Sequence, residues 1–303
     1  MNANTGPASG VTMSPPLISV IIPVWNGSDV IGRCLTALRE QTMPAGQFEV
    51  IVVDNGSTDN TVKLACTFPE VVVYTEDRPG SYAARNRGLR HARGHYIAFT
   101  DADCRPDPKW LEKALEAAER NPRAGVLAGQ IGLFEEGDFS SALFSDYERL
   151  FSFPQALARR GNCATANWMS RREIFDKLGG FDENLKSGGD RAMALRIRGA
   201  GYPLVYVPEM IVGHPVRATR EELIRKRRRL SGGRWDRTQP SGRLARVLGV
   251  TLYDTARRIR RVWMTPGLTI GRKVALMRLT MDLSVVATRE YWRLFLGRRS
   301  ARQ

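Results

Sequence analysis

The chain has 303 residues, 43% hydrophobic and 25% charged, enough apolar material for a sizeable core, which excludes a wholly disordered protein. Its net charge of +15 is unevenly placed: residues 216–303 hold 23 Lys/Arg against 6 Asp/Glu, a net of +17, and the remainder sums to −2. Such a basic segment implies an anionic partner, whether nucleic acid, an anionic membrane surface or a phosphorylated substrate. The four cysteines form no Cys-x-x-Cys pair, so no zinc or redox motif is visible, and their scatter fits a reducing cytoplasm. No stretch approaches the ~18 uncharged apolar residues of a transmembrane helix.

In chain order, residues 1–16 are small, polar and rich in Pro and Gly, and read as a disordered lead-in without a signal-peptide pattern. Leu17 to Val24 is a continuous β-branched run, hence a buried strand, closed by a turn at Trp25-Asn26-Gly27. Asp29 to Gln41 has helical spacing. Phe48 to Val53 is a second buried strand, ending in Asp54-Asn55-Gly56-Ser57, and Val71 to Tyr74 is a third. Ser81 to Arg93 reads as a helix. Tyr96 to Thr100 is a fourth strand, with Asp101-Ala102-Asp103 at its C-terminal end, and Lys109 to Arg120 is again helical.

Strands alternating with helices predict an α/β fold, a Rossmann-like, mostly parallel sheet flanked by helices. Ligands of such sheets bind outside the carboxyl ends of the strands, where the loops at Trp25, Asp54 and Asp101 converge. Beyond Gly125 the pattern loosens. Val126 to Ile131 reads as a strand, Phe139 to Arg159 as an aromatic-rich helix, Gly188-Gly189-Asp190 as the start of a helix through Arg198, and Leu204 to Val207 as a late strand. After Val216 the chain reads as wholly helical and basic.

A strand ending in Thr-Asp-Ala-Asp projects Asp101 and Asp103 from one tight turn. Hard cations such as Mg²⁺ or Mn²⁺ take oxygen ligands and share them with substrate phosphates. A lone Asp-x-Asp is more often a helix cap or an Asx turn, but its place after a buried strand, in line with Asp54, favours the ligand role. Asp54 alone is as good a turn-former as a ligand. Trp25 suits stacking on a planar base or packing in the core. Arg85 and Asn86 suit either a phosphate or base site or a solvated helix face.

The runs SVIIPVWN, VVDNGSTDNT, GSYAARNRGLRHARG, YIAFTDADC, GGFDENLKSGGD and GHPVR occur in this order. Together they resemble family 2 glycosyltransferases of the GT-A fold, over Leu17 to about Arg217. The resemblance implies a nucleotide-diphosphate sugar donor, a divalent metal and inversion at the anomeric carbon. It implies that Pro23, Trp25, Asp54, Arg85, Asn86, Asp101 and Ala102 bind the nucleotide. Asp103, with Asp101 and His214, would hold the metal. Asp190 falls where the family has its catalytic base, which takes the proton of the acceptor hydroxyl. The family often shows Glu-Asp there, whereas this chain has Gly189-Asp190. As a lone histidine His214 can also be structural, and His91 and His95 look like surface or turn residues.

The resemblance divides the chain into a catalytic domain at 17–217 and a basic, amphipathic helical segment at 218–303. The segment suits helices lying on the anionic inner face of the cell membrane, where a glycan or lipid-linked acceptor would be met. It also suits helices packed on the catalytic domain with arginines facing water. A nucleic-acid-binding protein and a non-catalytic sugar-nucleotide-binding homologue are the competing readings. Neither accounts for Asp101, Asp103 and Asp190 together, and the tail has no recognition motif for nucleic acid.

Overall fold

The computed structural model describes residues 15–136 and 142–298. Most of the expected lead-in, and Phe139, therefore lie outside the described residues. The β-branched runs form β1 (Ile18–Val24), β2 (Phe48–Asp54), β3 (Val71–Thr75) and β4 (Tyr96–Phe99). These pair in parallel in the order β3-β2-β1-β4, with Val24 level with Asp54, so their carboxyl ends share one edge. Every residue of β1 is buried, because the sheet is covered on both faces. One face carries α1 (Ile31–Arg39), α2 (Thr61–Ala65) and α4 (Trp110–Arg120), and the other α3 (Ser81–His91).

The far half of the sheet departs from the parallel pattern. β7 (Trp168–Arg171) runs antiparallel to β4 and to β6 (Val126–Phe134), so the sheet is mixed. β6 pairs in parallel with β8 (Leu204–Pro215), and the short β5 (Arg105–Pro106) closes the edge antiparallel to β8. Both β6 and β8 extend well past their expected ends. Their register slips between Gly129 and Gln130, where the Asn167 amide donates to the carbonyls of Gln130 and Met210. A Cβ at Gly129 would collide with that amide.

The long helix expected from residue 139 to 159 is interrupted. α5 (Ala142–Phe151) ends before Phe153, whose φ of 47° and following Pro154 cannot continue a helix, and a 3-10 stretch covers Gln155–Arg160. α6 (Arg172–Leu178) and α7 (Gly189–Gly199) pack on the same face as α3.

The basic end forms α8 (Arg220–Arg237), α9 (Arg243–Met264) and α10 (Ile270–Phe295). A Thr219–Glu222 capping box starts α8. These helices have their own apolar core: Leu223 of α8, Val262 of α9 and Leu276, Leu279 and Leu283 of α10 close around Tyr147 of α5. The segment is therefore packed against the rest of the chain through α5. Among the described residues no helix is long and apolar enough to cross a membrane.

Candidate active site

Three loops at the carboxyl edge of β1, β2 and β3 are laced together. Asn26, held at φ 45°, accepts from Thr58 N at 2.8 Å and donates its own N–H to Ser57 Oγ at 2.8 Å. The Asn55 amide donates to the carbonyls of Glu76 and Arg78 and accepts from Gly80 N at 2.6 Å. Trp25 stands out from this lattice, 47% exposed, on the wall of a cavity of about 480 Å³ that also contains Asn55, Asp77 and Lys186. Asp54 is buried; one oxygen accepts from Gly56 N and Ser57 N, and the other, Oδ1, is buried without a partner. Pro23 and Ala102 are buried in the strand end and the turn that carry Trp25 and the aspartates.

Asp101 and Asp103 separate in role as soon as their neighbours are seen. Arg85, only 3% exposed, binds Asp101 Oδ1 at 2.5 Å and also donates to Ser81 O, with its Nε left buried and unpartnered. Asp103 instead faces His214, with Oδ2 3.6 Å from Nε2. His214 Nδ1 lies 2.7 Å from the carbonyl of Pro215. A carbonyl can only accept, so Nδ1 carries a proton, and Nε2 is the nitrogen that faces Asp103. Cys104 completes the group, with the three ligand atoms within 4.8 Å of one another. Burial, with the nearby Asp103 and Asp101 charges, pushes the Cys104 thiol well above its ordinary range. A carboxylate oxygen and an imidazole nitrogen suit Mn²⁺ or Mg²⁺ completed by phosphate and water oxygens.

Asp190 sits in the first turn of α7, accepting from Arg191 N at 2.8 Å, and lines a cleft of about 300 Å³ with Asp101, Arg85 and His214. Burial raises its carboxyl above the usual range, against the pull of the Arg191 N–H and the Arg85 charge, while Asp101 adds repulsion. Gly189 is forced by what lies beneath it. Tyr82 donates no space there: its hydroxyl accepts from Gly189 N at 2.8 Å, and a Cβ on Gly189 would lie 2.7 Å from the ring. An acidic residue at position 189 would have to push the Tyr82 ring aside.

Of the expected residues, Asp101, Arg85, His214 and Asp190 meet in one cleft, and Asp103 and Trp25 line an adjoining cavity of about 540 Å³ with His214. Asn86 is not brought there. Its amide donates to Phe181 O and Glu183 and accepts from Phe181 N, clamping the turn before α7. His91 stacks on Tyr74 at 3.8 Å and His95 packs edge-on against Tyr96, both away from the cleft.

The site also contains residues not singled out from the sequence. Glu222, Arg225, Lys226 and Arg229 of α8 line the adjoining cavity at helical spacing, and Arg217, Lys226 and Arg229 reach the cleft itself. The i, i+3, i+4, i+7 pattern was present in the basic run, but nothing local said which way it faced.

The family model for glycosyl transferase family 2 matches residues 19–179, which carry β1 to β7 with Asp101 and Asp103 and end before Asp190. The chain belongs to glycosyl transferase family 2. This transferase is 32% identical over 229 residues to the glycosyltransferase AglE of Haloferax volcanii, covering 74% of each chain. It is 30% identical over 228 residues to the O-antigen biosynthesis protein RfbC of Myxococcus xanthus, a match over 68% of this chain but only 18% of RfbC. Among solved structures, a mannosyltransferase from Pyrobaculum calidifontis in complex with GDP-Man and Mn²⁺ superposes with a TM-score of 0.55 at 21% identity, covering 96% of this chain and 78% of that one. At that identity the likeness shows the fold, a GT-A-like mixed sheet with flanking helices.

Proposed function

We propose that this transferase moves a glycosyl unit from a nucleotide-diphosphate sugar to an acceptor hydroxyl with inversion, and that Asp190 is its base. The observation that carries the proposal is the cleft that Asp190 shares with Asp101, Arg85 and His214, opening beside Asp103. Trp25 offers its face to the nucleobase, and the unpartnered, buried Oδ1 of Asp54 is an acceptor waiting for a base N–H. Arg85 fixes Asp101 for the ribose or metal. Asp103 and His214 would hold Mg²⁺ or Mn²⁺, which supplies charge neutralisation for the diphosphate.

Asp190 takes the proton of the acceptor hydroxyl as its oxygen bonds to the anomeric carbon. The bond from that carbon to the diphosphate breaks on the opposite face, and its electron pair leaves with the phosphate oxygen. A raised carboxyl pKa brings the base closer to the hydroxyl it must deprotonate. The donor class is supported by the GDP-Man-bound structural neighbour, and a glycan acceptor by the relative named for O-antigen biosynthesis. We further read the enzyme as peripheral on the inner face of the cell membrane, acting on a glycan or lipid-linked acceptor. In this assignment residues 17–217 are catalytic, and of the segment 218–303 only α9 and α10 lie outside the cleft walls.

The test is calorimetry with UDP, GDP and dTDP sugars, with and without Mn²⁺. Metal-dependent binding of one donor by the wild type, lost in Asp103→Ala, is the expected result. Equal binding by Asp103→Ala removes the metal assignment, and binding of duplex nucleic acid with a steep salt dependence would restore the competing reading of the basic segment.

A further inference from the structure

Glu148 of α5 lies outside every motif of the site, yet it is the most enclosed carboxylate near it, only 1% exposed. Its Oε2 receives Arg217 at 2.5 Å and its Oε1 receives Lys226 at 2.8 Å; Ser152 Oγ donates to Oε1 at 2.9 Å and itself accepts from Lys226 at 2.8 Å. A buried carboxylate is costly unless paired, and here the cations come from the turn after β8 and from α8. Burial alone would raise the Glu148 carboxyl, but Lys226 and Arg217 together hold it down at about 2. With Lys226 protonated, the cluster carries one net positive charge.

Both of its cations also line the cleft and the adjoining cavity beside His214. Glu148 engages one Arg217 nitrogen, so up to four of the five guanidinium donors stay available to the cleft. Arg229, one turn beyond Lys226, makes no hydrogen bond or ion pair among the described residues and borders all the cavities around the site. Phe153, just after α5, packs on the His214 ring at 4.6 Å, with the Lys226 ammonium 5.6 Å from its own ring centre. The α5 end thus touches the metal-binding histidine and its cationic surroundings together.

We propose that Glu148 is a positioning residue: it sets Arg217 and Lys226, beside Arg229, as a cationic wall that receives the phosphate oxygens of the departing nucleoside diphosphate. The inference rests on the proposed transfer reaction, since it names where the leaving group goes. It also predicts a pH signature. Lys226 is drawn down to about 7 by burial and by Arg217, against the opposing attraction of Glu148; Arg229 on its own helix pushes the same way as Arg217. Arg258 of α9, across the slot behind Lys226, adds no negative charge. Removing the Glu148 charge must then make Lys226 lose its proton at lower pH.

The experiment is calorimetric titration of full-length protein with UDP, GDP and dTDP in Mn²⁺, across pH, for wild type, Glu148→Gln and Glu148→Asp. The expected result is about tenfold weaker binding of the preferred diphosphate by Glu148→Gln, the order of one lost charge-assisted contact. The alkaline fall in affinity moves to lower pH, and Glu148→Asp restores part of both. Should Glu148→Gln fail to fold, Lys226→Met gives the same loss without the alkaline fall. Unchanged affinity and pH profile in folded Glu148→Gln, with only a lower Tm, overturns this inference and leaves the transfer reaction standing. A wild type that binds no nucleoside diphosphate overturns both.

Discussion

Asp101 and Asp190 are carboxylates in one cleft with opposite surroundings. Asp101 has a guanidinium at 2.5 Å, whereas Asp190 has a backbone N–H and walls that withdraw it from water. The first is held in an ion pair; the second holds a proton more readily than an ordinary aspartate. A base must be ionised, so turnover falls as pH drops through the Asp190 value. Because that value is raised, the acid limb lies above the ~3.9 of an ordinary aspartate. Rate–pH profiles at saturating donor check this. Asp190→Asn is expected to lower kcat by roughly 10²–10⁴-fold, the range for general-base loss, with donor affinity retained. A profile flat through the acid range would exclude Asp190 as the group taking the proton.

At the scale of elements, the start of α7 shows why this chain departs from the Glu-Asp pattern. The loop before it is pressed between α3 and α8. Tyr82 of α3 supports Gly189, the Arg237 guanidinium closes over Gly188 at φ 73°, and Arg237 donates to Ser187 O. Gly233 of α8 comes so close that a Cβ there would overlap the Ser187 hydroxyl. Two helices thus set the height of Asp190. Gly189→Ala must displace the Tyr82 ring, and overpacking of this kind costs about 1–3 kcal/mol. The expected outcome is a lower Tm and, through the displaced Asp190, a larger loss in kcat than in donor affinity. Tm unchanged and kcat intact would mean that the loop has room the geometry denies.

The whole molecule turns the basic segment into a layer with two faces. Inner residues of α9 and α10 close on α5 and α8, while Leu252 and Trp263 of α9 and Ile270, Met281 and Trp292 of α10 remain exposed, Ile270 at 74%. The acids of these helices are already paired: Asp254 with Arg234, Asp282 with Arg220 and Glu290 with Arg293. What faces outward is apolar and aromatic side chains interspersed with arginine, the composition of an interfacial helix. If the peripheral-membrane proposal holds, the full-length protein floats with anionic liposomes and less with neutral ones. Trp263→Glu combined with Ile270→Glu then weakens flotation while sugar-nucleotide binding is kept. A wild type that stays with the soluble fraction on anionic vesicles removes the membrane from the proposal.

The sequence by itself determined the parallel half of the sheet and the edge where Trp25, Asp54 and Asp101 converge. Continuous β-branched runs can only be buried strands, and strands of one direction must end on one side. It also carried the ordered motifs of the family, because those residues are local to strand ends. Tertiary structure alone decided the antiparallel β7, whose Trp-Met-Ser-Arg is too short for a period to be read, and the break at Phe153. It alone turned Asn86 away from the cleft, because its partners lie 95 and 97 positions along the chain. The same holds for α8. Its arginines and lysine look like a solvated or membrane-bound run until Glu148, 78 positions from Lys226, meets them in the interior. Helical periodicity says which side chains share a face; only packing against distant elements says what that face meets.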